Sequence, residues 1–251
     1  MKPVQLNRLV IGFGLPKLCV PIVACSPEKV VRDVETVVCS PADLCEWRLD
    51  MLDGLSLPAI LRTAVKVRKI LGEMPLLATF RSSREGGKRK LADDAYIRLY
   101  NGFIAQQAAE AVDIEWSRPS PVRRRLTAAA HRSAVKVILS HHDFKRTPPY
   151  HTLKTMLAAM AAEHADIAKI AVMPQSAEDV LTLMSATLSM QKRLDIPIVT
   201  MAMGQLGKIS RIGGCLTGSA ITFGSLGRAS APGQINAAFL KKILEELAEN
   251  V

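Results

Sequence analysis

The chain has 251 residues, 33 Lys+Arg against 23 Asp+Glu for a formal net charge of +10 at pH 7, and 49% apolar but only 4% aromatic residues. That length and apolar content suit a large α/β domain with an aliphatic core and exclude global disorder, while the shortage of aromatics argues against a base-stacking nucleic-acid platform. The longest apolar windows, Leu18 to Ala24 and Ile167 to Met173, fall far short of the roughly 20 residues that cross a bilayer.

In chain order, Met1-Lys2-Pro3-Val4-Gln5 lacks the apolar run of a secretory signal, so a cytoplasmic protein is expected. Gln5 to Gly14 alternates in polarity, ends Gly-Phe-Gly and predicts a hairpin. Short β-rich apolar runs then recur at Lys17 to Ala24, Asp43 to Asp50, Pro75 to Arg81, Val112 to Trp116, Ala134 to His142, Asp166 to Met173, Pro197 to Met203 and Ser219 to Gly224. Helical periodicity fills the intervals. Ser26-Pro27-Glu28 reads as a helix start, Leu57 through Leu71 as an amphipathic helix capped by Gly72, and Ile235, Phe239, Ile243 and Leu247 as the apolar stripe of a last helix. Eight strand-helix units of roughly 31 residues each predict a single (β/α)8 TIM barrel over residues 1–251, with the N-terminal hairpin closing the barrel floor. A glycine-rich phosphate turn after the first strand, expected of a doubly wound sheet, is missing.

The five cysteines (Cys19, Cys25, Cys39, Cys45 and Cys215) are odd in number and never spaced C-x-x-C, so they read as small core residues, with neither disulfides nor a metal site. Arg123-Arg124-Arg125 falls in a helical segment and reads as a solvated face, the alternative being a polyanion site.

Charged residues inside strands carry the functional signal, because residues two apart share a face and one face of a barrel strand points inward. Glu46, Arg48 and Asp50 share such a face, either as an internal Glu46–Arg48 salt bridge or as groups turned to a substrate. Lys169 interrupts an otherwise apolar strand. Desolvation there disfavours its ammonium form and leaves an amine able to attack a carbonyl, unless the lysine is merely paired with Asp113 or Glu115. His142 ends the neighbouring strand and can move protons near neutrality, whereas His141 falls on the opposite face. Arg81 suits a carboxylate or alkoxide, and Glu85, before Gly86-Gly87, could orient a histidine or pair with Arg84. Ser210-Arg211 reads as a loop at the barrel mouth, and Ala229 to Gln234 reads as a mobile lid there.

Taken together, Glu46-Trp47-Arg48-Leu49-Asp50, Thr79-Phe80-Arg81-Ser82 through Glu85-Gly86-Gly87, Ser140-His141-His142-Asp143-Phe144, Lys169-Ile170-Ala171-Val172-Met173-Pro174, Ile209-Ser210-Arg211 and Ala229-Ser230-Ala231-Pro232-Gly233-Gln234 resemble, in this order, the type I 3-dehydroquinate dehydratases of the shikimate pathway. The resemblance implies a cytoplasmic homodimer that converts the small anionic 3-dehydroquinate to 3-dehydroshikimate through a lysine imine, with no cofactor. It implies Lys169 as the imine lysine, His142 as general acid/base and Glu85 as its support. Glu46, Arg48, Arg81, Arg211, Ser230 and Gln234 would be the substrate contacts. Two positions depart from the family pattern: Pro21 stands where a substrate-contacting serine is expected, and Met203-Gly204-Gln205 replaces a more serine-rich stretch. The alternatives are another lysine-imine barrel, such as a class I aldolase, and a basic nucleic-acid-binding module, which would bind polyanions with steep salt dependence.

Overall fold

A computed structural model describes residues 2–52, 54, 56–227 and 229–248. The chain opens with an antiparallel hairpin, β1 (Val4–Leu6) and β2 (Leu9–Ile11). Eight parallel strands follow among the described residues: β3 (Lys17–Ile22), β4 (Leu44–Arg48), β5 (Leu76–Thr79), β6 (Ala111–Glu115), β7 (Lys136–Asp143), β8 (Ile167–Val172), β9 (Ile198–Ala202) and β10 (Ile221–Ser225). Each falls on one of the runs expected from the sequence. A two-residue strand, β11 (Ile235–Asn236), adds to β10.

The helices between them are α1 (Pro27–Val38), α2 (Leu57–Leu71), α3 (Asp93–Ala105), α4 (Ser120–Arg132), α5 (Tyr150–Ala162) and α6 (Ala177–Gln191). The short α7 (Lys208–Ile212) and α8 (Gly214–Thr217) and the last helix, α9 (Ala237–Ala248), complete the order. Local chemistry sets their ends. The Ser26 hydroxyl accepts the Lys29 N–H at the start of α1, and α2 stops at Gly72, whose φ of 54° an L side chain rarely adopts.

The sheet curls until its two edges meet, where Ala220 N donates to Ile198 O at 2.8 Å and the Ser219 hydroxyl accepts the Thr200 N–H at 3.0 Å. Side chains alternate around the ring. Trp47, Leu49, Val112, Ile114 and Leu139 point outward into the layer under the helices, where Trp47 meets Phe103 edge-on at 5.9 Å. Leu44, Leu77, Ala111, Ile138, Ile167 and Val199 point inward at the strand starts, and Val4, Leu6 and Ile11 of the hairpin pack against them. The hairpin therefore closes the floor, and polar residues one layer higher face a cavity that opens only at the strand C-termini.

Three local expectations are corrected. The core-facing residues of α9 are Ala237, Leu240 and Leu244, while Phe239 and Leu247 are exposed. A spacing of four drifts around a helix of 3.6 residues per turn, and the buried set follows the tighter 3-4 alternation. Arg123 is buried rather than solvated, because its guanidinium pairs with Glu163 at 2.6 Å and lies 4.0 Å over the Trp116 ring. Of the cysteines, Cys19 and Cys45 are core residues, but Cys25, Cys39 and Cys215 are exposed; all five are free thiols.

Candidate active site

Five neighbouring strands bring charged side chains to the inside of the barrel. On β4, Glu46 and Arg48 are both buried, but they do not pair with each other. Arg48 makes a two-pronged ion pair with Asp50, 2.8 Å for each bond, and Glu46 Oε1 accepts from the Thr79 hydroxyl at 2.9 Å. On β6, Asp113 is fully buried and accepts from Arg81 at 2.8 Å, from the Ser140 hydroxyl at 2.5 Å and from Lys169 Nζ at 3.1 Å. Lys169 thus takes Asp113, one of the two partners the sequence offered as the alternative, with Glu46 at 3.8 Å and the Phe223 ring at 4.4 Å as further neighbours.

His142 lies near the end of β7 with its side chain 11% exposed. Its Nδ1 is 2.9 Å from Glu85 Oε2, and the same oxygen accepts the His142 backbone N–H at 3.1 Å. A carboxylate on Nδ1 fixes that nitrogen as the donor and leaves Nε2 as the base. Glu85 reaches this position through a 3-10 turn (Ser83–Glu85) followed by Gly86 and Gly87. A Cβ on Gly86 would lie 2.1 Å from the Phe144 ring, and one on Gly87 would lie 1.8 Å from the Arg81 carbonyl oxygen, so the close approach of this turn requires both glycines. Arg84 does not pair with Glu85; it donates to the Ser117 carbonyl at 3.4 Å.

Arg211 and Ser210 sit in the helix α7, not in a loop. Arg211 is 2% exposed, its Nε has no hydrogen-bond partner, and its other contacts are the Pro232 carbonyl at 3.0 Å and the Met201 sulfur at 3.9 Å. No ion pair engages it among the described residues. Burial alone pushes its guanidinium down to about 10. The 229–234 segment closes the same side. Gln234 accepts the Ser230 N–H at 2.7 Å and donates to the Ser230 hydroxyl at 3.0 Å, and Gly204 N–H donates to the Pro232 carbonyl at 3.2 Å. Gly233 has a φ of 77°, and a Cβ there would meet Gly204 O at 2.1 Å. Gly233→Ala should therefore lift this segment off its seat, costing about 1–3 kcal/mol of stability. Thermal unfolding together with a raised KM would register it; an unchanged KM would mean that the segment does not help to bind the substrate.

Glu46, Arg48, Arg81, Glu85, His142, Lys169, Arg211, Ser230 and Gln234, all the expected site residues, line one cavity. Ala171, Met201, Met203, Phe144 and Phe223 supply an apolar wall. Pro21 is a buried residue of β3, in register with Glu46. Arg81 lines the cavity with its guanidinium already engaged by Asp113, by Ser140 at 3.0 Å and, more loosely, by Glu85 and Glu115. Against the cost of burial, Arg81, Lys169 and Ser140 hold the Asp113 carboxyl well below the usual range. Burial, then the Arg81 and Lys169 cations, pushes the His142 imidazolium well below its ordinary value. The histidine is thus not poised at neutrality as expected from sequence, but rests as the neutral base. Among the described residues, no group of three or more His, Cys, Asp or Glu side chains could hold a metal ion.

The cavity residues that sequence reasoning left out are Met201 and Phe223 of the apolar wall. Asp113, named there only as a possible partner of Lys169, is buried against Lys169, Arg81 and Ser140. The parity rule applied to Glu46 and Arg48 marks Asp113 and Glu115 of Val112-Asp113-Ile114-Glu115 equally well. The apolar wall carries no comparable signal.

The family model for type I 3-dehydroquinase matches residues 18–251. The chain belongs to this family. It is 43% identical to a 3-dehydroquinate dehydratase of Syntrophotalea carbinolica over 98% of both chains. It is 41% identical to one of Enterococcus faecalis over the whole of both. Among solved structures, the type I 3-dehydroquinate dehydratase of Clostridium difficile with covalently modified comenic acid superposes with a TM-score of 0.97 at 36% identity, covering 100% of each chain. The Geobacillus kaustophilus 3-dehydroquinate dehydratase superposes with a TM-score of 0.95 at 38% identity, covering 98% of this chain and 96% of that one. The fold described above is thus the type I 3-dehydroquinase barrel, with its N-terminal hairpin in place.

Proposed function

We propose that the chain dehydrates 3-dehydroquinate to 3-dehydroshikimate through an imine on Lys169. The observation that carries this reading is the meeting, in one closed-bottomed cavity, of the Lys169 amine, the Glu85-held imidazole of His142 and a buried Arg211 without an acid. A small ketone bearing a carboxylate matches those three groups. The guanidinium can take both carboxylate oxygens at once, which places the ring against Met201, Met203 and Phe223 and its ketone towards the lysine.

In the first step Lys169, once its ammonium proton has passed to neutral His142, adds to the ketone as the amine, and the same proton leaves with the carbinolamine hydroxyl as water to give the protonated imine. The iminium draws electrons from the adjacent C–H bond, whose proton passes to His142 Nε2. The ring hydroxyl then leaves as water with the proton from that imidazolium, and hydrolysis of the product imine frees Lys169. Glu85 keeps the imidazole oriented and stabilises its charged form, while Asp113, ionised and shared by Arg81 and Lys169, holds the amine in place. Glu46, Arg48, Ser230 and Gln234 are assigned to the ring hydroxyls and the closure over them. No helix is long and apolar enough to cross a membrane among the described residues; a cytoplasmic homodimer belongs to the same proposal.

Incubation with 3-dehydroquinate tests the reaction, because the product is a conjugated enone with its own ultraviolet absorption. Appearance of that band supports it, and products of C–C cleavage would favour the aldolase alternative. Arg211→Gln separates binding from structure: loss of a charge-assisted pair should weaken substrate binding by about 1.5–3 kcal/mol. Because the wild-type cation is buried without an acid to pair with, the melting temperature of the ligand-free variant should stay the same or rise. A lower melting temperature with an unchanged KM would make Arg211 structural.

A further inference from the structure

Behind His142 the cavity wall holds a second buried carboxyl that the reaction as written does not use. Glu115, at the end of β6, is fully buried. Its Oε1 accepts the Ser82 N–H at 2.7 Å and lies 3.4 Å from Arg81 Nη1, while Oε2 has no hydrogen-bond partner and faces Arg118 Nε at 3.4 Å. The same Arg81 Nη1 lies 3.5 Å from Glu85 Oε2, the atom that accepts the hydrogen bond from His142 Nδ1. One guanidinium nitrogen therefore stands between the carboxyl that orients the base and a second carboxyl with no direct contact to the cavity.

Three carboxylates, Glu85, Asp113 and Glu115, crowd this single guanidinium, with Lys169 offsetting part of the charge through Asp113 and Arg118 part through Glu115. In a dry wall, each carboxylate favours protonation of a base near it and each cation disfavours it. Burial and then, against the pull of Arg81, the Glu85 charge raise the Glu115 carboxyl above its ordinary value, so the crowding is felt there as well.

We propose that Glu115 is a positioning residue acting on His142 through Arg81 and Glu85: it pins Arg81 and the Ser82 backbone, and its charge sets the pH at which the His142–Glu85 pair takes up a proton. The groups that face Glu115 are Arg81 and Ser82 after β5, Glu85 of the following turn, Tyr96 of α3, whose hydroxyl accepts the Glu115 N–H, and Arg118 after β6. Those that face His142 are Arg48 from β4, Arg81, Glu85, Asp113 from β6 and Lys169 from β8. Removing one negative charge from this set makes the imidazolium less favourable, so the His142 midpoint must move to lower pH.

The proposal rests on the reading of His142 as the base, but its main test needs no turnover. The ring resonances of His142 are followed by NMR against pH in the ligand-free protein. In Glu115→Gln the midpoint should fall by about one pH unit, and Glu115→Asp, which keeps the charge, should return it most of the way. The acid limb of kcat/KM should follow the same order. In the wild-type protein, the His142 ring should also register the Glu115 carboxyl as a second inflection, a readout that does not depend on any variant folding. An unmoved midpoint in folded Glu115→Gln, or a single inflection in the wild type, would overturn the proposal. A wild-type protein without dehydratase activity would instead sink the functional reading and leave the titration result standing.

Discussion

Lys169→Arg is expected to lower kcat by at least about four orders of magnitude while leaving the protein folded. Arginine keeps the positive charge that Asp113 and Glu46 meet at 3.1 and 3.8 Å, so the buried ion pair survives, but its guanidinium cannot form the imine. Lys169→Ala should show the same loss of turnover together with a loss of stability, since deleting one partner of a buried pair strands the other, at a cost of about 3–5 kcal/mol. The comparison separates chemistry from structure. If the arginine variant retained turnover within tenfold of the wild type, the amine would not be the nucleophile.

His142→Ala is expected to cost about 10²- to 10⁴-fold in kcat, the usual worth of a positioned general acid/base. The loss should fall on proton transfer, so substrate binding, proposed above for Arg211 and the cavity walls, should change little. The pH profile of the wild-type enzyme checks the same assignment. Because burial and the Arg81 and Lys169 cations hold the His142 imidazolium below its ordinary value, the neutral base persists as pH falls. The acid limb of kcat/KM should then lie on the acidic side of the normal histidine range. A limb centred above neutrality would contradict the neutral resting state.

Most of the barrel is legible in the sequence because its strands are short apolar runs at even spacing, and two-residue alternation then tells which side chains point inward. The same alternation finds Glu46, Arg48, His142 and Lys169, whose charges have no place in a core without partners. It does not tell which partners they take. Arg48 pairs with Asp50 along its own strand end, whereas Lys169 pairs with Asp113 across the barrel, and that choice depends on strand stagger and side-chain reach. Ser210 and Arg211 lie in a five-residue helix too short for any periodicity to declare itself. The stripe of α9 fails for a related reason: Phe239 and Leu247 are as apolar as Leu240 and Leu244, so only packing against the barrel decides which set is buried.

The central claim, an imine on Lys169, is tested most directly by borohydride reduction of the protein during incubation with 3-dehydroquinate, followed by peptide mass analysis. A reduced adduct of substrate or product mass is expected on the peptide carrying Lys169, absent from Lys169→Arg and still present, more slowly formed, in His142→Ala. An adduct on Lys136 or Lys145 instead, or steady turnover with no adduct on any lysine, would contradict it.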